Sequence, residues 1–201
     1  MKIEQLAEPL SLNLMFDLGG VIMNIDRSRC VAYFDALGME DADDFFDAYT
    51  QKGPFLQLEA GQISPDEFRG MMRQKLPAGV TDSQIDRGLS LFLCGIPETR
   101  LDLLRRLRAD GHRVWLLSNT NPIMWHNDIL PEFRKQGLEI TDYFDGTVTS
   151  FEAKVCKPDS RIYEYALAKF GIPAADTTFF DDGPANVEAA LACGMKATLI
   201  D

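Results

Sequence analysis

The chain has 201 residues, enough for one well-buried core with room for a smaller insertion. Its 46% hydrophobic and 25% charged content is that of an ordinary globular protein, and a formal net charge of −11 argues against a nucleic-acid partner, which needs a basic face. No apolar run approaches the ~18–20 residues that span a membrane, and the polar stretch from Met1 to Asn13 does not read as a signal peptide. The four cysteines, Cys30, Cys94, Cys156 and Cys193, are scattered with no C-x-x-C pair, which predicts free thiols in a reducing cytoplasm rather than a zinc site or a disulfide framework.

The first predicted strand is the apolar run from Leu12 to Asp17, ended by Gly19-Gly20. A helical block follows. Ser28 to Ala36 carries apolar residues at helical spacing and stops at Gly38, and Ala42 to Tyr49 reads as a short acidic helix with Phe45 and Phe46 on it. Gly53-Pro54 is expected to break the chain, and Phe55 to Ala60 precedes a turn at Gly61. Ser64-Pro65-Asp66-Glu67 has the capping-box pattern of a helix start, and Thr81-Asp82-Ser83 opens another helix toward Leu93.

From Pro97 the pattern alternates between helix and strand. Pro97 to Ala109 is an amphipathic helix with Leu101, Leu104 and Leu107 on one face, and Arg113 to Ser118 is a strand. Tyr143 to Thr149 reads as the next strand, and Lys157-Pro158-Asp159 as the start of a helix running to Phe170. Thr177 to Phe180 is a strand ending in Asp181-Asp182-Gly183, Asn186 to Ala192 a helix, and Lys196 to Ile200 the last strand. This alternation predicts a Rossmann-like α/β fold, a mainly parallel sheet with helices on both faces, and an inserted α-helical cap. The expected division is residues 1–25 and 97–201 for the core and 26–96 for the cap.

A parallel sheet brings its C-terminal strand tips to one edge, where α/β proteins place their ligands. Here those tips carry Asp17, then Ser118 and Asn119, then Asp181 and Asp182, with Lys157 just before a helix. Two or three carboxylates and a backbone carbonyl form a hard oxygen site suited to Mg²⁺. A carboxylate can also act as a nucleophile and form an acyl phosphate, with a cation and Lys157 neutralising the meeting of two anions.

The stretches Phe16-Asp17-Leu18-Gly19-Gly20-Val21, Leu117-Ser118-Asn119-Thr120-Asn121, Val155-Cys156-Lys157-Pro158-Asp159 and Phe180-Asp181-Asp182-Gly183 resemble, in order, the four motifs of the haloacid dehalogenase (HAD) superfamily. The similarity is to its branch of sugar-phosphate phosphatases of the α-D-glucose-1-phosphate type and to the phosphatase domain of soluble epoxide hydrolase. The resemblance implies an Mg²⁺-dependent phosphatase acting on a small phosphorylated metabolite, a sugar phosphate. Asp17 is then nucleophile and metal ligand, and the Gly19 carbonyl a second ligand. Ser118 and Asn119 bind the phosphoryl group, and Lys157 neutralises it and orients Asp17. Asp182 binds the metal, Asp181 holds it or its waters, and Asn186 binds one such water. Glu59 and Gly61 resemble the cap loop that faces the active site, which places Glu59 at the substrate.

One position departs from the pattern. Most phosphatases of the superfamily carry a second Asp two residues after the nucleophile, as acid for the leaving group and base for water. Here it is Gly19. Asp26, Glu59 or another cap residue is then expected to move the proton. Three alternatives follow: a metal-independent 2-haloacid dehalogenase, which the paired Asp181-Asp182 disfavours; a weakly catalytic member that binds a phosphorylated ligand or a protein partner; and a phosphosugar mutase, which would need the missing Asp. His112 and His126 are expected to be structural or surface residues.

Overall fold

Among the described residues, five strands, β1 (Asn13–Phe16), β2 (Arg113–Ser118), β3 (Gly146–Thr149), β4 (Thr177–Asp181) and β5 (Lys196–Leu199), form one sheet in the order β3-β2-β1-β4-β5. Every pairing is parallel. The computed structural model describes residues 2–6, 10–46 and 53–201. Both neighbours of β1 are in the same register, with Phe16 beside Leu116 and Phe180. Side chains alternate across a strand, so β1 feeds two cores. Leu14 and Phe16 point into the larger one with Val114, Leu116, Phe180 and the helix leucines Leu101, Leu104 and Leu107. Met15 points into the other with Trp115, Phe179, Ile162, Tyr163 and Ala190. Phe16 stacks on Phe180 at 4.8 Å, and Trp115 on Phe170 at 4.4 Å, one pair on each face.

The chain runs outward from β1 through β2 to β3, then returns to the other side of β1 for β4 and β5. The switch point therefore falls between β1 and β4, the two strands that end in Asp17 and Asp181.

Among the described residues, six helices lie between β1 and β2: α1 (Arg27–Ala36), α2 (Ala42–Phe45), α3 (Gly53–Glu59), α4 (Pro65–Lys75), α5 (Asp82–Ser90) and α6 (Glu98–Ala109). The caps follow the chemistry of the sequence. Asp26 accepts from the Ser28 amide, and Ser64 with Glu67 and Thr81 with Gln84 form reciprocal capping boxes. The two crossings between this helical segment and the sheet are tied together. The Asn24 N–H donates to the Gly95 carbonyl, the Cys94 N–H to the Asn24 carbonyl, and the Asp26 N–H to the Phe92 carbonyl.

Some expectations need correction. Tyr143 is not strand but the end of a helical turn, Ile140–Tyr143, and β3 begins only at Gly146. The Asp142 carboxylate accepts from the Glu139 N–H and closes that turn. Gly53-Pro54 opens α3 rather than only interrupting the chain, because proline is tolerated in a first turn where its missing N–H has no partner to lose. The acidic helix is described only as Ala42–Phe45, and residues 47–49 of it lie outside the described residues. The helix after Lys157 starts at Ser160, with Asp159 as N-cap accepting from Arg161 N–H, so Lys157 precedes the helix. Among the described residues no helix is long and apolar enough to cross a membrane.

Candidate active site

The β1 and β4 tips are joined by a hydrogen bond from Asp17 N–H to the Phe180 carbonyl, 2.9 Å. That bond sets the Asp17 and Asp181 side chains next to each other across the switch point. Lys157 lies between them, only 1% exposed, with its Nζ 2.7 Å from Asp17 Oδ1 and 2.6 Å from Asp181 Oδ2. Asp17 Oδ1 also accepts from Leu18 N–H at 2.6 Å. Asp181 Oδ1 accepts from Gly183 N–H at 2.7 Å and from Asn186 Nδ2 at 2.9 Å. Asn186 thus reaches the switch point, where it is bound to a carboxylate.

Asp182 completes the group: carboxylate oxygens of Asp17, Asp181 and Asp182 all lie within 4.8 Å of one another. Three carboxylates around one ammonium leave a local deficit of positive charge. The titration behaviour reflects it. Burial pushes the Asp17 carboxyl up to about 7; Lys157 pulls against this, and Asp181 and Asp182 add to it. Burial works to lower the Lys157 ammonium, but Asp17 and Asp181 outweigh it and hold its pKa above the usual lysine range. Asp182 is raised by burial and by Asp181. A hard divalent cation would meet the deficit, and an all-oxygen donor set is the kind that Mg²⁺ accepts.

The loop after Asp17 allows this crowding. Gly20 has φ +75, and a Cβ there would stand 2.0 Å from Asp182 Oδ2. Gly19 is different: its φ is ordinary, and a Cβ would meet nothing nearer than Ile25 side-chain carbons at 3.5 Å. The missing side chain at position 19 is a chemical gap, not a steric necessity.

The β2 tip supplies the opposite wall. Ser118 is buried with its hydroxyl 3.3 Å from the Asn119 carbonyl. The Asn119 side chain clamps the Lys157 backbone, donating to its carbonyl at 3.0 Å and accepting from its N–H at 2.8 Å. Asn119 therefore acts on Lys157 more directly than the motif suggests. Sequence reasoning missed Ser150, whose hydroxyl accepts from Thr120 N–H and donates to Thr120 carbonyl, both at 3.0 Å, and so braces the Ser118-Asn119-Thr120 turn. The signal was its place, one residue beyond the tip of β3.

Above these residues opens a cavity of about 490 Å³, a size suited to a small metabolite. Asp17, Gly19, Glu59, Ser118, Asn119, Lys157 and Asp182 all line it. Its far wall is apolar among the described residues, with Phe45, Phe46, Phe55 and Phe92 brought in from separate segments. Among the described residues of the helical segment, Glu59, at the end of α3, is the acidic residue that lines the cavity. Asp26 does not line it: Asp26 caps α1, and its hydrogen bonds to Ser28 lower its pKa. His126 is exposed on the Trp125–Ile129 turn, and the His112 ring sits 2.9 Å from the Ser11 carbonyl; neither lines the cavity.

Gly61 holds the Glu59 loop against the core. It has φ +58, its carbonyl accepts from Lys154 Nζ at 2.9 Å, and a Cβ would lie 2.3 Å from the Phe151 carbonyl oxygen. Gly61→Ala is therefore expected to cost about 1–3 kcal/mol, from the left-handed φ and the backbone clash together. A lower urea midpoint with unchanged slope checks it; an unchanged midpoint would show that the loop yields freely.

A carboxylate-rich crevice at the switch point of a parallel sheet, roofed by helices, defines a class of α/β hydrolase. The haloacid dehalogenase-like hydrolase family model matches residues 13–194, and the chain belongs to that family. It is 34% identical over 184 residues to a D-ribitol-5-phosphate phosphatase of Bacteroides thetaiotaomicron, covering 92% of this chain and 89% of that one. A sesquiterpene phosphatase of Aspergillus oryzae is 29% identical, covering 90% and 85%. Among solved structures, a HAD-family enzyme of Bacteroides thetaiotaomicron in complex with magnesium and inorganic phosphate superposes with a TM-score of 0.86 at 38% identity, covering 93% of this chain and 92% of that one.

Proposed function

We propose that the protein is an Mg²⁺-dependent phosphatase that hydrolyses a small phosphorylated metabolite through a phospho-Asp17 intermediate. The observation that carries this reading is the buried Asp17–Lys157–Asp181 arrangement, with Asp182 beside it, at the floor of the cavity. The magnesium- and phosphate-bound relative and the phosphatase names of similar proteins support it. Asp17, the Gly19 carbonyl and Asp182 would hold the ion directly. Asp181, whose two oxygens already accept from Lys157, Gly183 and Asn186, would act on the ion's waters. When bound, the ion neutralises the phosphoryl oxygens and the carboxylates around them.

The chain's own residues do the rest. Lys157 fixes the Asp17 carboxylate by a charge-assisted hydrogen bond and places positive charge beside the incoming phosphate. Asn119 holds Lys157 in place through its backbone, and the Ser118 hydroxyl with main-chain N–H groups holds phosphoryl oxygens. The helical segment of residues 26–96 acts as the cap, and its wall excludes water from the first step. Four free thiols suit a cytoplasmic protein.

For the alcohol half of the substrate, the similarity to a D-ribitol-5-phosphate phosphatase supports a sugar or polyol phosphate. The aromatic wall favours a second reading, an ester with an apolar body, since hydroxyls placed against it would lose their hydrogen bonds.

Phosphate release from polyol, hexose, aryl and prenyl phosphates, with and without Mg²⁺, tests the reading. Release that stops with EDTA and returns with Mg²⁺ is expected, and release indifferent to EDTA would favour metal-free chemistry. Mg²⁺ at 100 times its dissociation constant is expected to add about 2.7 kcal/mol of stability. Asp182→Asn should lose most of that gain in a thermal-shift assay, and an undiminished gain would place the ion elsewhere.

A further inference from the structure

We propose that Glu59 is the acid–base residue of this enzyme, protonating the leaving oxygen and then activating water, in place of the side chain that Gly19 lacks. The inference rests on the phosphatase reading above. Among the described residues, the proton-carrying side chains that line the cavity are Asp17, Glu59, Lys157 and Asp182. Asp17 is occupied as nucleophile, Lys157 is committed to two carboxylates, and Asp182 belongs to the cation site. Glu59 is left.

Its position is built. Leu58 and Ala60 on either side are buried, at 0% and 4% exposure, so the chain cannot rotate Glu59 away without exposing them. Gly61, two residues on, is pinned against Phe151 and Lys154. Glu59 reaches into a cavity that its own helix lines otherwise with Phe55 and Leu56. The charged and titratable groups that face it are Asp17 from the β1 tip and Cys156 and Lys157 from the loop before Asp159. Burial first, then Asp17, pushes its carboxyl up to about 7 against the pull of Lys157. Such a group holds and releases a proton near neutral pH, which acid–base work at that pH requires.

The chemistry balances. A carboxylate oxygen of Asp17 attacks phosphorus as the P–O bond to the alcohol breaks, and the Glu59 carboxyl gives its proton to the leaving oxygen. The free alcohol departs and Glu59 is left as carboxylate. Water then attacks the phosphorus of phospho-Asp17 and passes a proton to Glu59, which releases inorganic phosphate and restores both side chains.

The test compares two esters of one size on wild-type protein, Glu59→Gln and Asp17→Asn, all with Mg²⁺. Phenyl phosphate has a leaving group about as basic as a tyrosine side chain and needs an acid. p-Nitrophenyl phosphate has a far less basic one and needs it little. kcat/KM reads the steps up to the first irreversible one, here the loss of the alcohol. Glu59→Gln is expected to lower kcat/KM about 10²–10⁴-fold for phenyl phosphate and less than about tenfold for p-nitrophenyl phosphate. Retained p-nitrophenyl phosphatase activity also shows that the variant is folded. An equal loss on both esters would make Glu59 a binding or structural residue, and no loss on either would put the proton elsewhere; each overturns the inference. In both cases Asp17-dependent release by the wild type would leave the phosphatase reading intact. If the wild type releases phosphate only from a polyol, hexose or prenyl phosphate, the same loss of kcat/KM in Glu59→Gln, about 10²–10⁴-fold, is expected on that ester, and its absence overturns the inference. If it releases phosphate from none of these esters, the phosphatase reading fails and the inference with it.

Discussion

Asp17→Asn is expected to lower phosphate release by at least about 10⁴-fold while leaving the protein folded. The change replaces one oxygen by an amide nitrogen of the same size, so packing is kept, but the side chain no longer offers the anion that attacks phosphorus. Losses of this order are what removal of a covalent nucleophile produces, because the remaining groups can only bind and polarise. The same variant has a second expected effect. In the metal-free wild type, burial and the neighbouring carboxylates push the folded Asp17 carboxyl up to about 7 against the pull of Lys157, from an ordinary value of 3.8. Between those values the folded chain holds a proton that the unfolded chain has released. Stability from this group is therefore present below about pH 4 and is lost as pH rises toward 7 and beyond. Asp17→Asn removes that loss, so the metal-free variant should be more stable than metal-free wild type at pH 8, read from urea midpoints in EDTA. Equal midpoints would mean that Asp17 is far less burdened by its surroundings than the geometry implies.

Lys157→Met is expected to damage both function and fold. Lys157 is 1% exposed, and its ammonium bridges Asp17 and Asp181 at 2.7 and 2.6 Å. Without it, two buried carboxylates face each other and Asp182 with no counter-charge. Breaking a buried pair in this way costs about 3–5 kcal/mol. Turnover should fall by a further factor of about 10²–10³ in whatever fraction stays folded, the usual effect of losing one charge-stabilising donor. Lys157→Arg is not expected to rescue either property, since a planar guanidinium cannot occupy a site shaped around a compact ammonium. Mg²⁺ should recover part of the stability but not the activity. Denaturation midpoints with and without Mg²⁺, and kcat on p-nitrophenyl phosphate, check the two effects. A variant as stable as wild type would show that Lys157 is not the counter-charge the site depends on.

Much of this arrangement was legible in the chain itself. Apolar runs that end in Asp17, in Ser118-Asn119 and in Asp181-Asp182 predict strands whose tips meet, and the parallel sheet puts those tips at its switch point. The capping boxes at Ser64 and Thr81 were equally readable, because each is contained in four consecutive residues. What could not be read depends on contacts between distant segments. The Asn119 side chain looked like a phosphate ligand, and its attachment to the Lys157 backbone, 38 residues away, appears only when the β2 tip meets that loop. Phe45 and Phe46 read as part of one short acidic helix and Phe55 as the start of the stretch before the Gly61 turn, and their meeting with Phe92 in one cavity wall is a property of the fold. Tyr143-Phe144 carries the apolar signature of a strand, but a hydrogen bond from the Glu139 N–H to Asp142 competes and winds the chain into a turn. Asp26 and Glu59 were equal candidates for the proton until the fold placed Asp26 at a helix N-cap and Glu59 in the cavity.

The central claim is that phosphate passes through a covalent bond to Asp17. Its most direct measurement is a rapid acid quench of wild-type protein with Mg²⁺ and a radiolabelled phosphomonoester, followed by borohydride reduction and peptide mass spectrometry. The account predicts label bound to protein during the first turnover and homoserine at position 17 after reduction. Labelled phosphate released in that turnover with the label on another residue, or on none at any time, would contradict it.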